Sequence, residues 1–157
     1  MTLQNTTEVE TKLLADLAEC LPEVVKIAEA AGEKILEIYS SNFSVTSKTD
    51  DTPVTCADLA ANELIEHHLQ KLAPQYPILS EESEQIAYQQ RKNWQTYWLV
   101  DPLDGTKEFI NHTGEFSVNI ALIHEHQAYL GVIYSPVKKC VYYAVKGCGA
   151  FYQQENA

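Results

Sequence analysis

Positive charge is scarce in this chain. One arginine, Arg91, stands among 11 basic residues, against 22 acidic ones and a formal charge of −11. No five-residue window is strongly basic. Binding to nucleic acid by general electrostatics needs a basic face and is excluded. Attachment to an anionic membrane surface is disfavoured for the same reason. A phosphate ligand would need its countercharge from elsewhere, and a divalent cation held by the surplus carboxylates supplies it. Long apolar runs are also lacking: none approaches the ~20 residues that span a bilayer. The opening MTLQNTTEVETK has no charged n-region followed by an apolar stretch, so no signal peptide is read. Four cysteines, Cys20, Cys56, Cys140 and Cys148, are too few for a disulfide scaffold and show no zinc-ribbon spacing. Three lie in or beside apolar runs, which predicts buried free thiols in a reducing compartment. No Gly-x-Ser-x-Gly elbow and no Walker loop occurs.

What is present suffices for a packed core. The chain has 157 residues, 45% of them hydrophobic, the size of one ordinary domain of ~100–150 residues. Leu13, Leu17, Leu21, Val24, Ala28, Ala31, Ile35 and Ile38 recur at steps of three and four, one face of a long helix. Pro22 predicts either a break in it or the first turn of its main part, and Ser40–Asn42 end it. Residues 43–56 are polar and read as a loop. Thr55 to Asp58 has capping-box spacing, which predicts a second helix opening at Thr55. Its apolar stripe is Ala61, Leu64, Ile65, His68, Leu69 and Leu72, with His68 packed, and Ala73-Pro74 stops it. The period then changes to two. Short strands are expected at Tyr76–Leu79 and Tyr97–Val100, with a loop or short helix over 83–95 between them. The alternation of Phe116, Val118, Ile120 and Leu122 starts an antiparallel meander through Ala128–Tyr134, Cys140–Val145 and Gly149–Tyr152. The predicted class is α+β: two N-terminal helices packed on a largely antiparallel sheet. Residues 1–157 read as one domain whose last strand leaves a sheet edge uncovered.

The most informative stretch is Asp101-Pro102-Leu103-Asp104-Gly105-Thr106. Asp101 is expected at the carboxyl end of a strand, and Asp104 can turn its carboxylate back toward it. The Leu103 carbonyl between them offers a third oxygen, and hard cations such as Mg²⁺ want such oxygens. If Asp104 starts a helix, the N–H groups of Gly105 and Thr106 face outward and suit a phosphate. The same residues also read as a type I turn with an Asp helix cap and no metal. Glu81 and Glu82 follow another strand: they are either solvated, or side by side with the Asp101 end. Asp58 near a helix start is favourable through the dipole alone, and Thr106 is equally a plain helix-start residue. His124 and His126, at an expected hairpin tip, make poor zinc geometry without a third ligand.

Trp98–Phe109, read as WLVDPLDGTKEF, resembles the signature of the inositol monophosphatase superfamily, the lithium-sensitive, Mg²⁺-dependent phosphatases. Leu79–Ser83 resembles that family's second acidic motif, and Lys48 with Thr52–Asp58 its first. The strand Gly114–Leu122 is also similar. Lys107-Glu108-Phe109 points to the branch of 3′(2′),5′-bisphosphate nucleotidases of the CysQ type. The resemblance implies a layered sugar-phosphatase-like fold, present here as its N-terminal half, with roughly another hundred residues in the family's members. It implies that Glu81, Asp101 and the Leu103 carbonyl hold one Mg²⁺. Asp101 and Asp104 would hold a second, completed by an Asp of the other half. Asp58 and Thr106 would orient and deprotonate the attacking water, with Glu82 behind them. Gly105, Thr106 and Glu81 would border the substrate, adenosine 3′,5′-bisphosphate, cleaved to AMP and phosphate. Two other readings stay open: an inositol monophosphatase, and a non-catalytic metal- or phosphate-binding remnant. A cytoplasmic location follows, with peripheral inner-membrane association and a homodimer left open.

Overall fold

The computed structural model describes residues 3–41, 53–82 and 86–155, with side chains from Glu8 and Cys56 onward in the first two helices. Helix α1 (Leu3–Tyr39) is followed by α2 (Pro53–Leu72), β1 (Ile78–Ser80), α3 (Tyr88–Arg91), β2 (Thr96–Asp104) and α4 (Thr106–Ile110). A meander of β3 (Ser117–His124), β4 (Gln127–Ser135), β5 (Cys140–Val145) and β6 (Gly149–Gln154) completes it. The six strands form one sheet in chain order. β1 pairs with β2 in parallel, and all other pairs are antiparallel. The expected α+β architecture is therefore the observed one.

The apolar stripe of α1 does what its spacing predicts. Leu17, Val24, Ala28, Ala31 and Ile35 are buried to 2% exposure or less. α1 packs on α2 and across β3, β4 and β5, while α2 packs on β2. The facing side of the sheet contributes Trp98 and Val100, then Val118, Ile120 and Leu122, then Leu130 and Val132. Each such aliphatic side chain contributes roughly 1.5–3 kcal/mol by leaving water. The start of β3, with α4, is anchored to α1 through three rings. Tyr39 lies 5.1 Å from Phe109 and 5.0 Å from Phe116, and the two phenylalanines are 5.4 Å apart.

Several expectations are corrected. α1 runs unbroken through Pro22. Pro22 and Ala18, whose carbonyl loses its helical donor, are both exposed, so water can satisfy the orphaned group. α2 opens at Pro53, two residues before Thr55. Proline suits a first helical position because its missing N–H would have no partner there anyway. His68 is exposed rather than packed. Of the cysteines only Cys140 is buried, whereas Cys56 and Cys148 are exposed. Lys48, Thr52 and residues 83–85 lie outside the described residues. Among the described residues, no helix is long and apolar enough to cross a membrane.

Candidate active site

The parallel pairing of β1 with β2 brings two acidic segments together. Ser80 stands opposite Val100, and the Glu81 N–H donates to the Val100 carbonyl at 3.1 Å. Glu81 is thereby placed next to Asp101, the side-by-side arrangement read from the sequence. β2 does not stop at Asp101 as expected. It continues to Asp104 through an irregularity of register, with Asp101 opposite Asn119 and Asp104 opposite Ser117. A bulge of this kind re-aims side chains without ending a strand, and here it carries the two aspartates.

Asp58 comes from α2. Because the helix starts at Pro53, Asp58 is its sixth residue and lies beyond the first turn, so the capping explanation for an acid there falls away. It is 7% exposed. One turn on, the buried Asn62 accepts a hydrogen bond from Ser80 Oγ at 2.5 Å and donates to Glu66 at 3.1 Å. This bond ties α2 to the end of β1, directly before Glu81 and Glu82.

The electrostatics record the convergence. Burial, then the Glu82 carboxylate and a hydrogen bond with it, then Asp101 and Glu81, push the Asp58 carboxyl up to about 8. Burial, then Glu81, Asp104 and a hydrogen bond with Glu81, push Asp101 up to about 6, with the Leu103 backbone N–H pulling it back. Five acids from α2, the end of β1 and β2 thus share one locality. Among the described residues, the buried Asp58 Oδ1 and Asp101 Oδ1 have no hydrogen-bond partner.

Gly105, not Asp104, precedes the short helix. It is itself the cap of α4, at φ 98°, so the helix starts at Thr106 and Asp104 remains in the strand. A Cβ on Gly105 would lie 2.9 Å from the Glu115 carbonyl oxygen and 3.1 Å from Phe116 Cα. Glycine is required there for the turn and for the close approach of the chain to the start of β3. Thr106 is exposed, and the hydrogen bond that helps to raise the Asp58 carboxyl is one with Glu82. α4 nevertheless packs against α2.

Glu81, Asp101 and Asp104 border a cavity of about 1010 Å³ that extends over the sheet's outer face past Asn119 and Ala121 to Gly131 and Ile133, with Arg91 on its wall. Asn119 was not anticipated. Its Nδ2 donates to Asp104 Oδ2 at 3.4 Å, and its Oδ1 accepts from Ser117 at 3.2 Å. The only signal for it in the sequence is its place as an outward position in the alternating β3 strand.

The inositol monophosphatase family profile matches residues 16–157. The chain belongs to the inositol monophosphatase family. The 3′(2′),5′-bisphosphate nucleotidase CysQ of Aggregatibacter actinomycetemcomitans is 47% identical over 131 residues, covering 83% of this chain and 49% of that protein. The corresponding Escherichia coli K12 protein is 48% identical over 129 residues, covering 81% and 52%. Among solved structures, CysQ from Bacteroides thetaiotaomicron, described as a bacterial member of this family, superposes with a TM-score of 0.77 at 47% identity, covering 84% of this chain and 48% of that one. The chain spans about half the length of these relatives.

Membership of the inositol monophosphatase family implies a divalent metal cofactor. Among the described residues, no three His, Cys, Asp or Glu side chains converge as a ligand set for one ion. What converges is a crowd of acids with two orphaned buried oxygens. That is the donor chemistry of a hard cation that keeps several of its waters, and the residues fit such a group.

Proposed function

We propose that this chain supplies most of the catalytic groups of a Mg²⁺-dependent phosphatase that converts adenosine 3′,5′-bisphosphate into AMP and phosphate. One observation carries the reading. Asp58, Glu81, Glu82, Asp101 and Asp104 reach a single locality from three separate elements, beside a cavity large enough for a nucleotide. The likeness to curated bisphosphate nucleotidases supports the substrate, and the Lys107-Glu108-Phe109 sequence after Thr106 agrees with it.

In this reading Glu81, Asp101 and the Leu103 carbonyl hold one Mg²⁺, and Asp101 with Asp104 contribute to a second. Bound there, such ions neutralise the phosphate and make a water more acidic. The N–H groups of Gly105 and Thr106 position the phosphate. The unpartnered Asp58 Oδ1 accepts a hydrogen bond from the Thr106 hydroxyl or from the water that hydroxyl orients. Water oxygen attacks phosphorus in line, its proton passes toward Asp58, and the bond from phosphorus to the 3′-oxygen breaks. The leaving oxygen takes up a proton and becomes the 3′-hydroxyl of AMP. Glu82, whose carboxyl lies close enough to raise that of Asp58, would hold it in place.

The test is a chimaera in which residues 1–157 replace the matching half of the Escherichia coli relative. Mg²⁺-dependent phosphate release is expected, faster from adenosine 3′,5′-bisphosphate than from inositol 1-phosphate. A folded chimaera that releases phosphate from neither substrate refutes the reading. Faster release from inositol 1-phosphate would assign the chain to the other substrate class.

A further inference from the structure

The sole arginine of the chain is not at the acid cluster, yet it borders the same cavity. Arg91 closes α3, the short helix between β1 and β2. Among the described residues lining the cavity with Glu81, Asp101 and Asp104, it is the only cationic one. Its guanidinium carbon lies 5.7 Å from the centroid of the Tyr88 ring, a contact that restrains the side chain and leaves its donors available. Among the described residues it forms no ion pair, although three carboxylates border that cavity.

Its position along the cavity can be read from the strands. Arg91 also lines a smaller cavity with Leu79, Tyr88, Trp94 and Tyr97, so it stands at the Leu79 side of the wall. Leu79 is opposite Leu99 and the same small cavity is lined by Tyr97, so Arg91 stands two to four residues before Asp101, about 7–13 Å along the strand. Cation and acids are therefore at separate stations of one cavity. A ligand with two anionic groups a few ångströms apart can reach both, one through metal at the acids and one through the guanidinium. The two phosphates of a nucleoside 3′,5′-bisphosphate, whose phosphorus atoms are six covalent bonds apart through the sugar, meet that description. A ligand with a single phosphate uses only the acid end.

We infer that Arg91 is a specificity-determining residue that binds the second, non-scissile phosphate of the substrate; this rests on the phosphatase reading above. A guanidinium suits the task because its planar fork meets phosphate oxygens in pairs, which a lysine cannot do.

The experiment uses this chain and ligands that are not turned over. Inorganic phosphate is titrated first with Mg²⁺ present. AMP and adenosine are then titrated by calorimetry with inorganic phosphate and Mg²⁺ held at saturation, so that the acid end is filled. The wild-type chain is expected to bind AMP more tightly than adenosine. Arg91→Ala is expected to weaken AMP about tenfold or more, in line with a charge-assisted hydrogen bond, and Arg91→Lys to recover part of the loss. Adenosine and inorganic phosphate should stay within about twofold. An unchanged AMP affinity in Arg91→Ala overturns the inference. So does an equal loss for AMP and adenosine, which marks a structural role for α3. Failure of the wild-type chain to bind inorganic phosphate with Mg²⁺ is a different result and refutes the phosphatase reading itself.

Discussion

Ser80 donates its hydroxyl to Asn62 Oδ1 across the junction between β1 and α2, at 2.5 Å and with both residues 7% exposed. It lies one helical turn from Asp58 and one residue from Glu81. The bond therefore sets how deeply Asp58 enters the acid cluster. A buried amide and hydroxyl that satisfy each other also fix the register of helix against strand more tightly than apolar packing alone, which tolerates small slides.

Asn62→Ala leaves the Ser80 hydroxyl without its acceptor. The expected loss of stability is about 1–3 kcal/mol, the cost of an unsatisfied buried polar group. Ser80→Ala together with Asn62→Ala should cost less than the sum of the two single changes, because the second removes the orphan left by the first. Urea denaturation of the four species checks this. Simple additivity would show that the bond carries no coupling.

Acid crowding sets a second expectation. Asp101 sits among Glu81, Asp104 and Asp58 with a buried, unpartnered oxygen. In chelator, Asp101→Asn removes one of the mutually repelling charges and is expected to raise the melting temperature. With Mg²⁺ added, the wild-type chain should gain stability, about 1.4 kcal/mol at ten times the dissociation constant, and the variant should lose most of that gain. In the chimaera the same change should lower kcat by orders of magnitude. A variant that is less stable in chelator and still responds fully to Mg²⁺ would reject the placement of a cation at Asp101.

Much of this arrangement was legible in the sequence, and the exceptions are specific. The alternation at Phe116, Val118, Ile120 and Leu122 is buried to 2% exposure or less, because a strand with one covered face writes its period directly into the residues. The pairing of the two acidic strand ends followed from short apolar runs each ending in acid. The continuation of β2 through Asp101 to Asp104 was hidden, because Asp-Pro and Asp-Gly are turn chemistry and a bulge uses the same residues as a stop. The start of α2 was displaced because Thr55 and Asp58 mimic a capping box, while Pro53 reads as a loop residue until its place in the first turn is seen. Asn119 and Arg91 could not be read at all. Their roles arise from register between segments and from the path of the chain around the cavity, and neither leaves a local pattern.

The interior of α1 contains a glycine whose replacement tests packing against propensity. A Cβ on Gly32 would stand 2.5 Å from Tyr134 Cε1 and 2.9 Å from Pro136 Cγ. Alanine gains up to about 1 kcal/mol over glycine inside a helix, whereas forcing a methyl into a filled space costs about 1–3 kcal/mol. The clash is with a ring that is itself 6% exposed and has little room to retreat, so Gly32→Ala is expected to destabilise on balance. Tyr134→Leu in the Gly32→Ala background should give part of that back, which denaturant midpoints would reveal. A stabilised Gly32→Ala would mean that β4 shifts freely away from α1.

Tyr134 also makes the fold sensitive to alkaline pH. Burial, then the carboxylates of Glu155, Glu29 and Glu33, then Cys140, push its phenol up to about 12. An unfolded tyrosine ionises near 10. A folded value above the unfolded one means that the folded chain holds its proton longer. The contribution is therefore complete below about pH 10 and is lost as pH rises from there through about 12. Tyr134→Phe has no proton to lose, and a buried phenyl ring keeps the contact with Gly32. The variant is expected to show a shallower fall of melting temperature between pH 10 and 12 than the wild-type chain. Tyr152, also shifted upward, is common to both and does not affect the difference. Ultraviolet titration should agree, with the variant missing a late-ionising phenol among the nine tyrosines of the wild type. Parallel melting curves across that interval would show that the Tyr134 hydroxyl reaches solvent freely, and would remove the burial argument for its position between α1 and β4.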